Sequence, residues 1–596
     1  MVCGMVLALI VWCVLYFPYR YLMLELESGS LFLYTAGFFG KHLLQAGGAL
    51  SYASAFLTQF LHFPALGAFV WVTLAALTVN AVLKAFPGHG PAGCLALLVP
   101  ALSLASVCAV GYDIYLLDDD GFFFRPLLGA FATACFIRLF RKTETTAARS
   151  LVFMLWATVG FHLLGCHSYP GTAAMLVLLL KQDSGTAAKA ASFLSSAAVS
   201  ALAPTLLYCI LPSHNPSGIY SAGLAGADAL KHNAAFIIPQ LSLVPVFIIL
   251  AAITPLRGKG ADKQSGIRIS IPNLCAIAAA AAVVLVCRFD NPVYKTELKM
   301  SALVENGDWD GILKVETDFE SRYRDSGYEP SRLMVLYRNL ALVKTDHAGE
   351  MMFHFLNGGH KPPESGRISL VIRGGKQLYY HYGIANYCFR WCTEEAVQRG
   401  WSYRTLKYAY LSAEIWGGEK SAETYLAQLR RTLFHRNVTT GGDCTDITDG
   451  SGTAAVSADR LTNDQYLIEP FLYSYFTGNI AAATTPEFDR IAIAFAVTGK
   501  DPVTFWNHLV KYIGSNRPAR IPTAYQEAAL YLGTISDMPA HLLEYDRDIV
   551  ERWNGYKQFS KSHDRLDDAN TIREFRDRYG DTYWYFHAFE KDIITY

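Results

Sequence analysis

Charge is what this sequence has least of. Of its 596 residues, 17% are Asp, Glu, Lys or Arg, 52% are hydrophobic, and the formal net charge is zero. Soluble domains carry about 25% charged residues. A neutral chain also has no broad basic surface for a polyanion, which excludes nucleic acid as its partner. Basic residues are missing from the first apolar run as well, since nothing before Arg20 is Lys or Arg. With no basic leader and no small-residue cleavage site behind it, that run reads as a retained transmembrane helix and not as a signal peptide. Cysteine lacks any framework pattern. Nine of the twelve lie at or before Cys287, mostly inside apolar runs, where a thiol acts as a small hydrophobe; only Cys388, Cys392 and Cys444 follow. There is no P-loop, no His-Glu-x-x-His and no Gly-x-Ser-x-Gly, so those phosphate-binding, zinc-protease and serine-hydrolase signatures carry nothing here.

What is present is unevenly spread. From Met1 to Cys287 the chain is a series of apolar runs, and from Arg288 to Tyr596 it is ordinary charge-rich sequence. The runs fall at 1–17, 65–86, 91–112, 121–141, 150–167, 170–181, 186–211, 233–256 and 270–287. A span needs ~20 apolar residues, so the pattern predicts about nine spans, with 170–181 the shortest. Basic residues in the short loops set the orientation. Lys84, Arg138, Arg141, Lys142, Arg149, Lys181, Lys189 and the 257–268 loop fall on one side; Arg20, Lys41, Arg125 and Lys231 fall on the other. The first set marks the cytoplasm. The loops at 22–67 and 113–125 and everything after 287 then face outward, which in a bacterium is the periplasm.

The first outward loop, Leu22 to Gly67, is too polar for a span and too apolar for a soluble loop. Its aromatic residues (Phe32, Tyr34, Phe38, Phe39, Tyr52, Phe56, Phe60) recur at three- and four-residue steps. That pattern predicts interface helices, apolar face to lipid and acids toward water. Glu25 and Glu27 stand at its head, and either is a candidate general base. Asp118, Asp119 and Asp120 in the second outward loop are candidate ligands for Mg²⁺ or Mn²⁺, since hard cations prefer carboxylate oxygen. Arg20, Arg125, His167, His214 and Lys231 are the candidate phosphate contacts on the same side. For each group the bland alternative is a solvated loop side chain.

The second half reads as amphipathic helices of ~12–16 residues separated by Gly, Pro and Asp/Asn clusters. Paired helices with short turns predict an α-solenoid of the tetratricopeptide kind, without that repeat's strict consensus. Segment 366–374 reads as a short strand or extended loop, and the Gly/Thr/Asp-rich 437–459 as a loop. Cys388 and Cys392 read as buried structural thiols. The fold class is therefore all-α: a polytopic helical membrane domain over 1–290 and a periplasmic helical-repeat domain over 291–596.

On this layout, with Glu25 and Glu27 in the first outward loop and Asp118 to Asp120 in the second, residues 1–290 resemble the membrane glycosyltransferases called GT-C. In that family the loop acid is usually Asp; here it is Glu-Leu-Glu. The whole chain is also similar to an uncharacterised bacterial family with a multi-pass first half and a tetratricopeptide-like second half. The GT-C resemblance implies transfer of a sugar from a polyprenyl-phosphate carrier at the periplasmic face of the inner membrane, with Glu25 or Glu27 as base. Two rivals stand beside it. One is a non-enzymatic membrane-anchored scaffold that docks a protein partner on its helical repeats. The other is a transporter, which the scarcity of charge inside the runs disfavours.

Overall fold

The computed structural model describes residues 2–87, 91–117, 120–182, 185–210, 218–224, 234–256, 271–323, 326–356, 368–438, 468–478, 486–563, 568–590 and 592. Among the described residues the chain is helical and forms no β-strand. It divides into two compact units. The first is Met1–Asp290 together with Arg399–Arg404 and Ala427–Asn437; the second is Asn291–Gln398, Thr405–Leu426 and Val438–Tyr596.

The first unit contains α1 (Val2–Ser28), α2 (Ala36–Leu43), α3 (Gly48–Thr58), α4 (Pro64–Ala85), α5 (Pro91–Cys108), α6 (Arg125–Lys142), α7 (Thr146–Leu155), α8 (Phe161–Leu164), α9 (Tyr169–Leu180), α10 (Thr186–Ile210), α11 (Ile238–Leu241), α12 (Leu243–Ile253) and α13 (Ile271–Cys287). Apolar faces of α4, α5, α6, α9 and α12 close on one core that includes Val82, Ala96, Ala134, Met175 and Phe247. Its many alanines let the helix backbones approach closely. Outward-facing positions stay apolar: Leu9, Phe69, Leu151, Leu206 and Val286 are all more than half exposed.

Among the described residues, four helical stretches are long and apolar enough to cross a membrane: Met5–Ser28, Pro64–Ala85, Thr146–Leu180 and Lys189–Ile210. A fifth counts only if Leu274–Cys287 is joined to Pro292–Glu305. Shorter apolar helices cover Ala92–Cys108 and Ile238–Ile253. Helix α5 stops at Cys108, ahead of Gly111 with its φ of 53°. Helix α6 carries Arg138, Arg141 and Lys142.

The run 146–180 is not one straight rod. A π-turn occupies Trp156–Gly160, and Gly165 adopts φ 60° and ψ −141°. Beyond it the chain folds back. Trp156 Nε1 donates to Ser168 O at 3.2 Å and to Thr172 Oγ1 at 3.1 Å, whereas sixteen residues of straight helix would separate them by ~24 Å. The two limbs, 146–164 and 169–180, are the two runs the sequence separates.

Their ends sort accordingly. Lys181 Nζ, just past α9, donates to Ala251 O at 2.9 Å and Thr254 O at 3.0 Å, and Arg141 Nη2 donates to Pro255 O at 2.7 Å. The basic termini of α6 and α9 thus cap the C-terminal carbonyls of α12, where a helix dipole favours cations. At the hairpin tip, Gly47 N donates to His162 O at 2.7 Å and Cys166 N to Ala222 O at 2.8 Å. There Gly47, Gly165 and Gly223, all at positive φ, meet backbone to backbone.

The second unit begins with α14 (Pro292–Glu305), α15 (Trp309–Tyr323), α16 (Arg332–Lys344), α17 (Ala348–Met351), α18 (Lys376–His381), α19 (Ala385–Arg399), α20 (Tyr403–Ile415) and α21 (Glu419–Leu429), except that Arg399, 403–404 and 427–429 at the ends of the last three belong to the first unit. It continues with α22 (Ile468–Thr477), α23 (Pro486–Thr498), α24 (Pro502–Asn516), α25 (Thr523–Ile535), α26 (Arg547–Lys561), α27 (Ala569–Tyr579) and α28 (Tyr583–Phe589). The starts of α14 and α24 are spelled by Asn291-Pro292 and Asp501-Pro502: the side chain accepts from two helix N–H groups and Pro sits at the first position. The unit's core is rich in aromatic side chains, with Trp553, Tyr556, Phe575 and Trp584 among them.

Segment 366–374 is a correction over its described residues, 368–374. Val371–Gly375 is a π-turn feeding α18, not a strand. Gly374 lets it lie against α16, because a Cβ there would stand 2.6 Å from Leu333 Cδ1. Cys388 and Cys392 are buried free thiols. Of the 437–459 segment, only Asn437 and Val438 lie among the described residues.

Candidate functional site

The two leading acids do not open a loop. Helix α1 runs on past Phe17, with Pro18 inside it, and ends at Ser28. Glu25 and Glu27 therefore occupy its last turn, at the negative end of the helix dipole, where a carboxylate is disfavoured. They are also buried, each 6% exposed. A buried carboxylate in that position requires cations or hydrogen-bond donors, and the chain brings both from far downstream.

Glu25 is held by Arg404. The guanidinium donates from Nη1 to Glu25 Oε1 at 2.5 Å and from Nη2 to Oε2 at 2.8 Å, and Nη2 also reaches Ser28 Oγ at 2.7 Å. Such a two-pronged pair fixes a geometry. It commits the Glu25 carboxylate to holding the 399–404 segment. Tyr403 N donates to Ser30 O at 2.8 Å, fastening the same segment to the chain just past α1.

Glu27 meets imidazoles. His435 Nε2 donates to Glu27 Oε1 at 2.5 Å, and His62 Nδ1 lies 3.8 Å from the same oxygen. Ligand atoms of Glu27, His62 and His435 all stand within 4.8 Å of one another, which makes this trio competent to hold a metal ion. His62 ends the short turn Gln59–His62, one residue before Phe63 and the Pro64 that starts α4. His435 follows a turn in which Thr432 Oγ1 accepts from His435 N and Thr432 O from Arg436 Nε.

Both rings are oriented by neighbours: the Tyr403 ring stacks on His435 at 3.2 Å between centroids, and the Phe434 ring stacks on His62 at 5.3 Å. The Glu27 and His435 side chains are 7% and 10% exposed, while His62 is 33% exposed and forms the open side. The cluster can do two kinds of chemistry. A carboxylate against imidazole handles protons, and two histidines with a carboxylate bind a transition metal.

The other expected residues fall into separate places. Asp120 Oδ1 accepts from Leu31 N at 3.2 Å, so the loop ahead of α6 is tied to the chain four residues past Glu27. Arg125 and His167 come together: Arg125 Nη1 and His167 Nε2 both donate to Gly223 O, at 3.3 and 3.1 Å, and Arg125 Nη2 also donates to Ser51 Oγ at 2.7 Å. This is the end of the unit where the three glycines meet. Arg20 Nη2 donates to the Tyr21 hydroxyl at 2.9 Å. Asp118, Asp119, His214 and Lys231 lie outside the described residues.

The sequence profile of the family of unknown function DUF6057 matches residues 1–440. This chain belongs to DUF6057. No curated protein and no solved structure matches it. The DUF6057 match covers Glu25, Glu27, His62, Arg404 and His435, so every member of the cluster lies within the family's span.

Sequence reasoning missed His62, Tyr403, Arg404 and His435. His62 had a legible cue: it is one of two imidazoles, with His42, in the same apolar loop as the acids. His435 had none, because it stands 408 residues from Glu27 in a stretch with no motif.

Proposed function

We propose that this DUF6057 chain is a membrane-embedded transferase of GT-C-like layout. It moves a sugar from a polyprenyl-phosphate carrier to an acceptor at the membrane–water boundary. The observation that carries this reading is the setting of Glu27. An acid in the last turn of the first apolar helix is buried, yet it pairs with histidines instead of a permanent cation, so the centre stays able to exchange protons. The cluster takes the proton of the acceptor hydroxyl as its oxygen bonds to the sugar's anomeric carbon and the carrier phosphate departs with the electron pair. Glu25, locked to Arg404, is in this reading a positioning residue for the 399–404 segment. Arg125 and His167 offer donors toward phosphate, and the helical-pair unit serves as the acceptor-binding part.

The setting of the site end supports an extracytoplasmic placement. The opposite end gathers Arg141 and Lys181, the basic side that faces the cytoplasm by the positive-inside rule. In this reading the chain sits in a bacterial inner membrane with the cluster on the periplasmic side.

The test is donor consumption by the purified full chain across a panel of polyprenyl-phosphate sugars. Glu27→Gln lowers turnover by ~100-fold or more while the protein stays folded. If the wild-type chain consumes no donor in the panel, the transferase reading is lost and a membrane-anchored scaffold takes its place.

A further inference from the structure

We propose that Glu27, His62 and His435 bind one divalent first-row transition ion of the zinc class, with a coordination position left open. This deepens the reading of the cluster as the reactive centre, and the ion's role in transfer rests on that reading; ion binding itself does not.

The position of His62 is the first argument. A carboxylate–imidazole ion pair needs one histidine, and His435 already provides it at 2.5 Å from Glu27 Oε1. His62 Nδ1 stands 3.8 Å from the same oxygen, too far for a hydrogen bond. It is close to the ~3.4 Å that separates two ligand atoms sharing a tetrahedral ion with bonds of ~2.0–2.2 Å. Seating an ion requires the Glu27–His435 contact to open by ~1 Å, a small side-chain rotation.

Ring orientation is the second argument. Both imidazoles are clamped by aromatic faces, His435 by Tyr403 and His62 by Phe434. The two rings stand at 86° to each other with centroids 4.8 Å apart. Ligands held in place before the ion arrives lose little freedom on binding it.

The donor set is the third. Two imidazole nitrogens and one carboxylate suit zinc, cobalt, iron or manganese, whereas Mg²⁺ and Ca²⁺ prefer oxygen alone. Among the described residues the cluster offers three protein ligands, and three is the arrangement of a reactive site, because water or substrate completes the shell. Burial of Glu27 beside the open side at His62 fits an ion reached from one direction.

The experiment uses the full chain, purified in detergent, stripped with chelator and reloaded separately with Zn²⁺, Co²⁺, Mn²⁺ or Mg²⁺. Bound metal per chain is measured by mass spectrometry, and the visible bands of Co²⁺ report its coordination. One Zn²⁺ per chain is expected, with Mg²⁺ unable to displace it. His62→Ala and Glu27→Gln are each expected to weaken Zn²⁺ binding by more than ~100-fold, beyond what outer-shell changes cause. His541→Ala, at an exposed position outside the cluster, is the control and leaves binding unchanged. His62→Ala keeps the Glu27–His435 pair intact, so it separates loss of a ligand from loss of fold; the circular dichroism of the metal-free variant should match wild type.

Zinc binding at wild-type strength in both cluster variants, or no retained zinc in the wild type, overturns the site. The two proposals fail separately. One Zn²⁺ that depends on His62, with no donor turned over, removes the transferase and leaves the metal site. Turnover that survives complete chelation, in a chain that retains no zinc on reloading, removes the metal site and leaves the transferase.

Discussion

Arg404 grips both oxygens of Glu25 across 379 residues of sequence. Both side chains are under 10% exposed, so this pair belongs to the buried class, where breaking one partner strands a charge. Arg404→Ala is expected to destabilise the first unit by ~3–5 kcal/mol. Replacing both partners together, as Glu25→Leu with Arg404→Met, recovers most of that loss, since no charge is then left unpaired. Chemical unfolding of the three proteins, wild type included, measures it. A loss under ~1 kcal/mol for Arg404→Ala would place the pair among solvent-screened surface bridges.

The hairpin tip of 146–180 makes a second prediction, because its glycines are not equivalent. At Gly165 a Cβ would stand 2.2 Å from Ala222 O, and φ is 60°. At Gly223 φ is 83° but the nearest atom would be 3.7 Å away. Gly223→Ala therefore carries backbone strain alone, ~1–2 kcal/mol. Gly165→Ala adds a backbone clash that no side-chain rotation relieves, and its cost should be at least twice as large. Because Gly223 O receives both Arg125 and His167, Gly165→Ala should also disturb that corner. Equal melting temperatures for the two variants would refute the close backbone approach of Gly165 to Ala222.

At the other end, Lys181 donates to carbonyls at the close of α12, including Ala251 and Thr254. Lys181→Met removes the cation and frees several acceptors, so the last turn of α12 should fray. Hydrogen exchange should speed up at the amides of 250–254 and stay unchanged in α4. Unchanged exchange at both would mean that water replaces the lysine at no cost.

How much of the molecule is legible in its sequence varies with the range of the interaction. The all-α class and the start of α14 at Asn291-Pro292 follow from local patterns of apolar residues and caps, which a sequence displays directly. Glu25 and Glu27 stand out because they interrupt an apolar stretch. Their partners do not, because Arg404 and His435 are distant in sequence and ordinary in context; only the fold makes them neighbours. The boundary of α1 is misleading for a physical reason. Pro18 and Tyr19-Arg20 look like a helix end, yet the helix continues to Ser28. The same continuation moves the acids from a helix start, where the dipole would favour them, to a helix end, where they need cations. The reversal at Gly165 is visible only as a gap between two apolar runs, and Trp156 reaching Thr172 shows what that gap is for.

The last prediction concerns pH and the second unit. Glu316 is fully buried, and among the described residues neither of its carboxyl oxygens has a hydrogen-bond partner. Arg338 is its nearest cation, with Nη1 at 3.8 Å from Oε1; Arg338 Nη1 also donates to Leu356 O at 2.8 Å. Burial pushes the Glu316 carboxyl from an ordinary 4.5 up to about 7, with Arg338 pulling the other way and Glu320 adding to the rise. The folded chain therefore holds a proton that the unfolded chain releases between pH 4.5 and 7. Where the native state binds more protons, stability falls as pH rises. The stabilising contribution of this group is complete below pH 4.5 and is lost through about pH 7. Glu527 adds the same sign over a wider window, since burial carries its carboxyl up to about 8 against the bond from Tyr583 N. Glu316→Gln keeps the shape and has no proton to lose. It should leave stability nearly unchanged at pH 5, raise it relative to wild type at pH 8, and flatten the slope between them. Melting temperatures of the two proteins at pH 5, 6, 7 and 8 decide the matter. A wild-type stability that rises from pH 5 to 8 by an amount Glu316→Gln abolishes would mean that Glu316 is ionised and paired with Arg338 in the folded chain.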